Sequence, residues 1–355
     1  MQAVSYDAYG SEPSLVEVAD PVCPDDGVVI EVRATGVCRS DWHAWRGHDP
    51  VPLPQIPGHE FAGVVAEVGP SVTTVRIGDR VTVPFVCGCG TCEWCVAGDA
   101  QICPAQQQPG FTMPGSFAER VAIPAADFNI VHLADGLGFV AAASLGCRFA
   151  TAYRALTVHG AVRAGEWVSV YGCGGVGLSA VMIASALGAR VIAVDRSPAA
   201  LSLAQEFGAE VTLEAADDTP SRIIELTGGG AAVSLDAVGS AETAVASISS
   251  LRPRGRHVQV GLLLGADAAP AVPMGQVIAK ELEIHGSHGM AARDYAGMLE
   301  LVASGAVRPE RLVGDVIGLA DAGAALAAMD APAPGRGMTV IEFSPSAPPW
   351  DFGPT

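Results

Sequence analysis

A chain of 355 residues, half of them hydrophobic, with 42 glycines and 25 prolines, exceeds one ordinary core and has too many turn residues for a helical bundle or a disordered polymer; it fits a two-domain α/β protein. A formal net charge of -18 and a pI near 4.7 leave no general basic surface, which argues against nucleic acid and anionic membrane as partners and for a small molecule. Of nine cysteines, five crowd between Cys87 and Cys103 at intervals that suit metal thiolates better than disulfides.

The N-terminus MQAVSYDAYG has neither a basic n-region nor an apolar h-region, so it does not read as a secretory signal. The longest apolar helical stretch, Val176 to Leu187, is too short to span a bilayer. A cytoplasmic protein is the expectation. Residues 1–34 alternate apolar and polar positions between turns, and EFAGVVAEVG and RIGDRVTVPF continue that pattern, which predicts a β-rich first domain.

Between those strands lies GVCRSDWHAWRGHDPVPLPQIPGHEFAG, with Cys38 and His59 standing 21 positions apart. Zinc accepts thiolate and imidazole, and a catalytic zinc keeps one position open for water or substrate. Ser40 and His43 lie between the two ligands, a hydroxyl and an imidazole suited to passing a proton outward; Arg39 suits a phosphate. His59 alone would read more readily as a buried, hydrogen-bonded histidine.

Next come Cys89, Cys92, Cys95 and Cys103 among Gly88, Gly90 and Gly98, a glycine-rich loop with little but four thiols to hold it together. Such spacing closes a tetrahedral structural zinc site, which supplies folding energy the lobe lacks. Cys23, Cys87 and Cys173 are left over as packing residues. The stretch LGFVAAASLGCRFATAYRAL has small and apolar residues at helical spacing around Cys147, which alone would read as a core cysteine.

From Trp167 the alternation changes to strand, glycine turn, helix and strand. Gly172, Gly174 and Gly177 form a G-x-G-x-x-G turn, answered 18 positions later by Asp195, a context that reads as a dinucleotide site with its pyrophosphate at the helix N-terminus. Further alternation through ELEIHGSHG predicts a doubly wound parallel sheet, after which the helix DYAGMLELVASGAV and the strand MTVIEF return the chain. Lys280, the only lysine, has no other chemical group near it in sequence.

The Gly58-His59-Glu60 run with Gly63, Gly69 and Val72 resembles the signature of medium-chain zinc-dependent alcohol dehydrogenases, and the likeness runs from the first strand to about Phe343. That resemblance implies a GroES-like catalytic domain over residues 1–148, a Rossmann-type domain over 149–286 and a return to the catalytic domain over 287–344; the Pro-rich tail over 345–355 lies outside it. It implies Cys147 as the third protein ligand of a catalytic zinc with Cys38 and His59, and Glu60 as a carboxylate that approaches the metal when substrate is absent. Ser40, the cofactor ribose and His43 would form the proton relay. Asp41 is a candidate hydrogen-bond partner for the ligand histidine. Phe85, Trp42 and Trp45 are candidate pocket walls or core. With the turn, the expected cofactor-binding residues are Arg39, Thr151, Gly172, Gly174, Gly175, Val176, Gly177, Asp195 and Arg196.

The implied function is oxidation of a primary or secondary alcohol to an aldehyde or ketone, reversible, with hydride passing to NAD and two zinc ions per chain, in a homodimer or homotetramer. A polyol or formaldehyde-type dehydrogenase on the same scaffold is the alternative. A non-catalytic binding protein, as zinc-free relatives can be, would be expected to have lost Cys38, His59 or Ser40; all three are present.

Overall fold

The computed structural model describes residues 1–331 and 337–343; most of the proposed return segment lies within these, and the Pro-rich tail lies outside them. Two sheets organise the chain. In the first, Val28–Val37 is the central strand, paired antiparallel with Glu60–Val68 on one side and with Met338–Glu342 and Arg120–Ile123 along the other. Its residues are mostly buried whichever way they point, because helix Phe139–Ala143 packs against this strand and the apolar cluster of Val28, Ile30, Phe61 and Val81 lies against the sheet. Central burial explains why the run VVIEVRATGV is apolar almost throughout instead of alternating.

The second sheet has six parallel strands in the order Val211–Glu214, Arg190–Asp195, Trp167–Tyr171, Ala231–Asp236, Leu251–Gln259, Glu283–Gly286. This is the 3-2-1-4-5-6 order of a dinucleotide-binding sheet, whose ligand crevice opens at the carboxyl ends where the order reverses. The G-x-G-x-x-G turn follows the first of these strands, at the reversal. A surface groove lined by Glu166, Trp167, Thr227 and Arg252 lies at the opposite, amino ends of the strands and is not that crevice.

The chain joins the two sheets through residues 139–159, a stretch whose small and apolar residues show helical spacing in sequence. The structure instead alternates α-helix with two wider π-turn segments, Leu145–Phe149 and Ala155–His159. The Tyr295 hydroxyl donates to the Gly146 carbonyl at 3.0 Å, an outside partner of the kind that lets a helical turn widen. Tyr295 comes from the returning helix Tyr295–Ala303, which shares the main core with Leu145, Phe149 and Leu178. The return strand Met338–Glu342 adds to Val28–Val37 as expected, and a further strand, Val313–Ile317, pairs parallel beside it; with only Val313-Gly-Asp-Val-Ile to show, it carries no clear period in sequence.

Candidate metal and dinucleotide site

Cys38 caps the N-terminus of the short helix Arg39–Trp45 as the chain leaves the central strand, and His59 immediately precedes the neighbouring strand. Register between those strands pairs Gly36 with Glu60, so the two strand ends meet. The wide turn brings Cys147 in from the connecting helix. The donor atoms of Cys38, His59, Glu60 and Cys147 all lie within 4.8 Å of one another.

Asp41 organises this cluster. Its carboxylate accepts from the Cys38 N–H at 3.0 Å, the Gly58 N–H at 3.0 Å and His59 Nδ1 at 2.9 Å. With Nδ1 donating, the lone pair of His59 sits on Nε2, and Nε2 is buried without a hydrogen-bond partner. An unsatisfied buried nitrogen costs desolvation energy that a metal ion facing it would offset. The thiol pair splits: a hydrogen bond from Cys147 holds Cys38 well below the ordinary thiol range, aided by the positive charge of Arg148 and by His59 and opposed by burial, while the same contact and burial hold Cys147 well above it. Thiolate is the ligand form.

Glu60 and Cys147 have a companion that the sequence reading missed. Arg148 is buried and grips Glu60 through its backbone N–H (2.9 Å), Nε (3.0 Å) and a close Nη2 contact. Burial pushes the Glu60 carboxyl up, and Arg148 opposes that shift. Expected as a carboxylate free to approach a metal, Glu60 is thus both part of the donor cluster and tied to a guanidinium. An arginine in an otherwise apolar helical stretch, one residue after a ligand candidate, was the available signal.

Phe85 packs beside the cluster, its ring 5.9 Å from His59, and Phe111 stands 5.2 Å from the same imidazole. Phe111 had no signal in sequence. Trp45 is core, buried against Tyr6 and Phe117 with its indole N–H on the Ser11 carbonyl, and not a pocket wall. Ser40 turns toward the cluster, 3.9 Å from Cys38 Sγ. His43 is half-buried one turn further, its Nδ1 3.2 Å from His48 Nδ1. Arg39 donates to the Met329 carbonyl at 2.6 Å and lies over Trp42. Lys280 is spent on the Leu251 carbonyl.

A second cluster, separate from the first, gathers Cys89, Cys92, Cys95 and Cys103 with sulfurs 3.7 Å (Cys92 to Cys103) and 4.0 Å (Cys89 to Cys95) apart. A tetrahedron with metal–sulfur bonds of about 2.3 Å has edges of roughly 3.8 Å. Backbone N–H groups of Cys89, Cys92 and Cys95 each point at a sulfur of the set, the stabilisation thiolates need. Cys92→Ser or Cys95→Ser is expected to lower the melting temperature by about 3 °C, roughly 2 kcal/mol for a protein of this size, with a parallel loss of bound zinc. Differential scanning calorimetry with elemental analysis checks this; an unchanged melting temperature removes the structural role.

The glycine turn is open where a ligand would need it. A Cβ at Gly174 would meet nothing within 4 Å, whereas at Gly177 it would lie 1.7 Å from the Gly172 carbonyl oxygen and at Gly175 2.4 Å from Arg148 Cδ. Helix Gly175–Ala186 therefore starts pressed onto the strand with Gly174 exposed, and Val176 is half-buried in its first turn. Thr151 is buried on the connecting helix Ala150–Arg154, which packs against the same helix. Asp195 accepts from the Cys173 N–H at 2.6 Å and the Ser197 N–H at 2.8 Å, so its carboxylate is anchored beside the turn. Ser197 caps the next helix with Pro198 in its first turn, leaving Asp195 free of that duty. Arg196 is exposed.

Residues 24–135 match the alcohol dehydrogenase GroES-like domain and residues 175–304 the zinc-binding dehydrogenase domain. An alcohol dehydrogenase of Geobacillus stearothermophilus is 37% identical over 312 residues, 87% of this chain and 90% of that protein. Among solved structures, alcohol dehydrogenase TADH from Thermus sp. ATN1 superposes with a TM-score of 0.88 at 30% identity, covering 96% of this chain and 99% of that one. A zinc-binding dehydrogenase from Sinorhizobium meliloti 1021 bound to NADP gives a TM-score of 0.87 at 28% identity, with 96% and 98% covered.

Proposed function

From the premise that this chain belongs to the medium-chain zinc-dependent alcohol dehydrogenase family, we propose that Cys38, His59 and Cys147 hold the catalytic zinc of an NAD-dependent alcohol dehydrogenase, that Cys89, Cys92, Cys95 and Cys103 hold a structural zinc, and that Ser40 and His43 carry the substrate proton. The reaction is reversible oxidation of a primary or secondary alcohol to an aldehyde or ketone. The partnerless Nε2 of His59, buried between two thiols, is the observation that carries this reading.

Zinc bound there would act as a Lewis acid on the alcohol oxygen. The chain's own residues do the rest. Two thiolates offset the metal's charge, and Asp41 fixes the tautomer and orientation of His59. Ser40 Oγ, 3.9 Å from Cys38 Sγ, would take and release the alcohol proton, and His43, one helical turn along, would receive it. Phe85 and Phe111 keep the imidazole side dry. Residues 1–148 supply the metal ligands, 149–286 the dinucleotide sheet, and 287–344 the return that closes the first sheet.

Among the described residues no helix is long and apolar enough to cross a membrane, and none of the nine cysteines is paired, which supports a reducing, cytoplasmic setting. A homo-oligomer, dimer or tetramer, is supported by the edge strand Glu283–Gly286, whose outer side has no partner among the described residues, with Ile278 75% exposed and Ile284 42% exposed beside it.

Asp195 underlies the cofactor choice. At the end of the second strand of the unit, an anchored carboxylate accepts from the hydroxyls of an adenosine ribose, while a 2'-phosphate would set charge against it. The expected preference is NAD over NADP by at least about tenfold in kcat/KM, one unfavourable charge contact of ~1.4 kcal/mol. Asp195→Ala should narrow the gap, mostly by weakening NAD. A panel of primary, secondary and polyol alcohols assayed with both cofactors tests the reading. No turnover of any alcohol would sink it, and a wild-type preference for NADP would show that Arg196 governs the cofactor.

A further inference from the structure

We propose that His48 is the outer station of the proton path, taking the proton from His43 and delivering it to water. The inference rests on the relay reading above and extends it by one residue. Nδ1 of His43 and Nδ1 of His48 are 3.2 Å apart, within reach of direct transfer. His43 is half-buried and His48 exposed, so the pair runs from the interior to solvent.

The contact is built by the loop that follows helix Arg39–Trp45. Gly47 takes a left-handed φ of +74°, and a Cβ there would lie 3.0 Å from the Tyr9 ring, so glycine alone makes this turn without strain. The turn brings the His48 N–H back onto the His43 carbonyl at 2.9 Å, where the Asp49 N–H also points at 3.3 Å. Tyr9 fastens the far side of the loop, its hydroxyl donating to the Val51 carbonyl at 2.8 Å and accepting from the Val51 N–H at 3.0 Å. Trp42 packs edge-on against both imidazoles, at 4.9 and 5.1 Å between centroids. Its indole N–H is in turn held by Asp330 at 2.8 Å. Two rings that merely happened to be close on a surface would not share a wall, a glycine turn and a backbone clamp.

The charges around the pair fit this direction. Burial, then His48 and then Arg39, push the His43 imidazole down to about 4, against a smaller opposing pull from Cys38. Asp330 sits on Trp42 and near Arg46, beyond the two rings. Near neutral pH His43 is therefore a poor store of charge and must pass a proton on as it receives one. The transfer balances: His43 gains a proton on Nε2 and gives one from Nδ1 to His48 Nδ1, and His48 releases one from Nε2 to water. Both rings end neutral, and exchange with water resets their tautomers.

His48→Gln, His43→Gln and the double variant decide the point, assayed in weakly buffered solution with and without added imidazole. His48→Gln is expected to lower kcat/KM by about 3- to 10-fold, below the ~10² of a directly acting acid-base group. Imidazole should restore it, and the double variant should be little worse than His43→Gln, since the two act in series. A wild-type rate for His48→Gln in weak buffer, or a loss that imidazole leaves untouched, overturns the proposal while His43→Gln remains impaired. Wild-type rates for both single variants would instead overturn the relay reading on which it rests.

Discussion

Replacing Cys38 with serine, His59 with alanine or Cys147 with serine is expected to lower kcat/KM by about 10³-fold or more, the scale on which loss of a positioned electrostatic group acts. Bound zinc should fall from about two ions per chain to about one, because the four-cysteine lobe keeps its own ligand set. Melting temperature should change little in the two cysteine variants, since the lobe and the main core are untouched, and fall in His59→Ala, which strips a partner from the buried Asp41 carboxylate. Elemental analysis, steady-state kinetics and calorimetry on the same preparations distinguish the outcomes. His59→Ala is the most telling of the three. It removes the unpaired Nε2 and also leaves the Asp41 oxygen that faced Nδ1 with only the Gly58 N–H at 3.0 Å. Active enzyme that contains no zinc, or a His59→Ala variant with full turnover, would refute the assignment.

Arg148→Leu is expected to destabilise the protein by about 3–5 kcal/mol, the cost of stripping one partner from a buried ion pair, seen as a fall of roughly 4–7 °C in melting temperature. Side-chain exposures of 8% for Arg148 and 0% for Glu60 place this pair well outside the solvent-screened case. The deficit should vary with pH, with a defined sign. Burial raises the Glu60 carboxyl and Arg148 lowers it, so the variant's carboxyl rises further. A carboxyl raised in the folded state keeps its proton longer there than in the unfolded chain, and its contribution is lost as pH rises through the folded value. Arg148→Leu should therefore lose less at about pH 5 than at about pH 8. Combining it with Glu60→Gln should recover part of the loss, because no uncompensated charge remains. A melting temperature within a degree or two of wild type at both pH values would show that the pair contributes nothing net.

Arg148 has a second neighbour that connects this stability effect to function. Its Cδ lies where a Cβ at Gly175 would stand, 2.4 Å away, so one guanidinium side chain touches the donor cluster at Glu60 and underlies the first turn of helix Gly175–Ala186. Gly175 is thus glycine on account of Arg148, whereas Gly177 is glycine on account of the Gly172 carbonyl in the turn, 1.7 Å from where its Cβ would stand.

What could be read from residues alone was whatever depends on short-range spacing. Four cysteines within fifteen positions, a glycine turn between a strand and a helix, and an acidic residue at the next strand end each report a local geometry, because backbone reach and ligand distance limit what such spacings can do. The doubly wound sheet was legible for the same reason: alternating strand and helix patterns leave few topologies once crossovers are right-handed. Cys147 lay far from Cys38 and His59 in sequence, and it entered through resemblance.

Only tertiary structure decided the rest. The grip of Arg148 on Glu60 spans 88 positions, the approach of Phe111 to His59 runs between separate loops, and the outside partner for the widened turn at Cys147 arrives from Tyr295, 149 positions from Gly146. Pairing of buried charges and packing of rings depend on which segments meet after the chain has folded, and no periodicity in one segment encodes the identity of another. His48 stands between the two cases. It is five positions from His43, near enough to notice, but whether the rings met or parted depended on the left-handed turn at Gly47 and on the wall that Trp42 supplies.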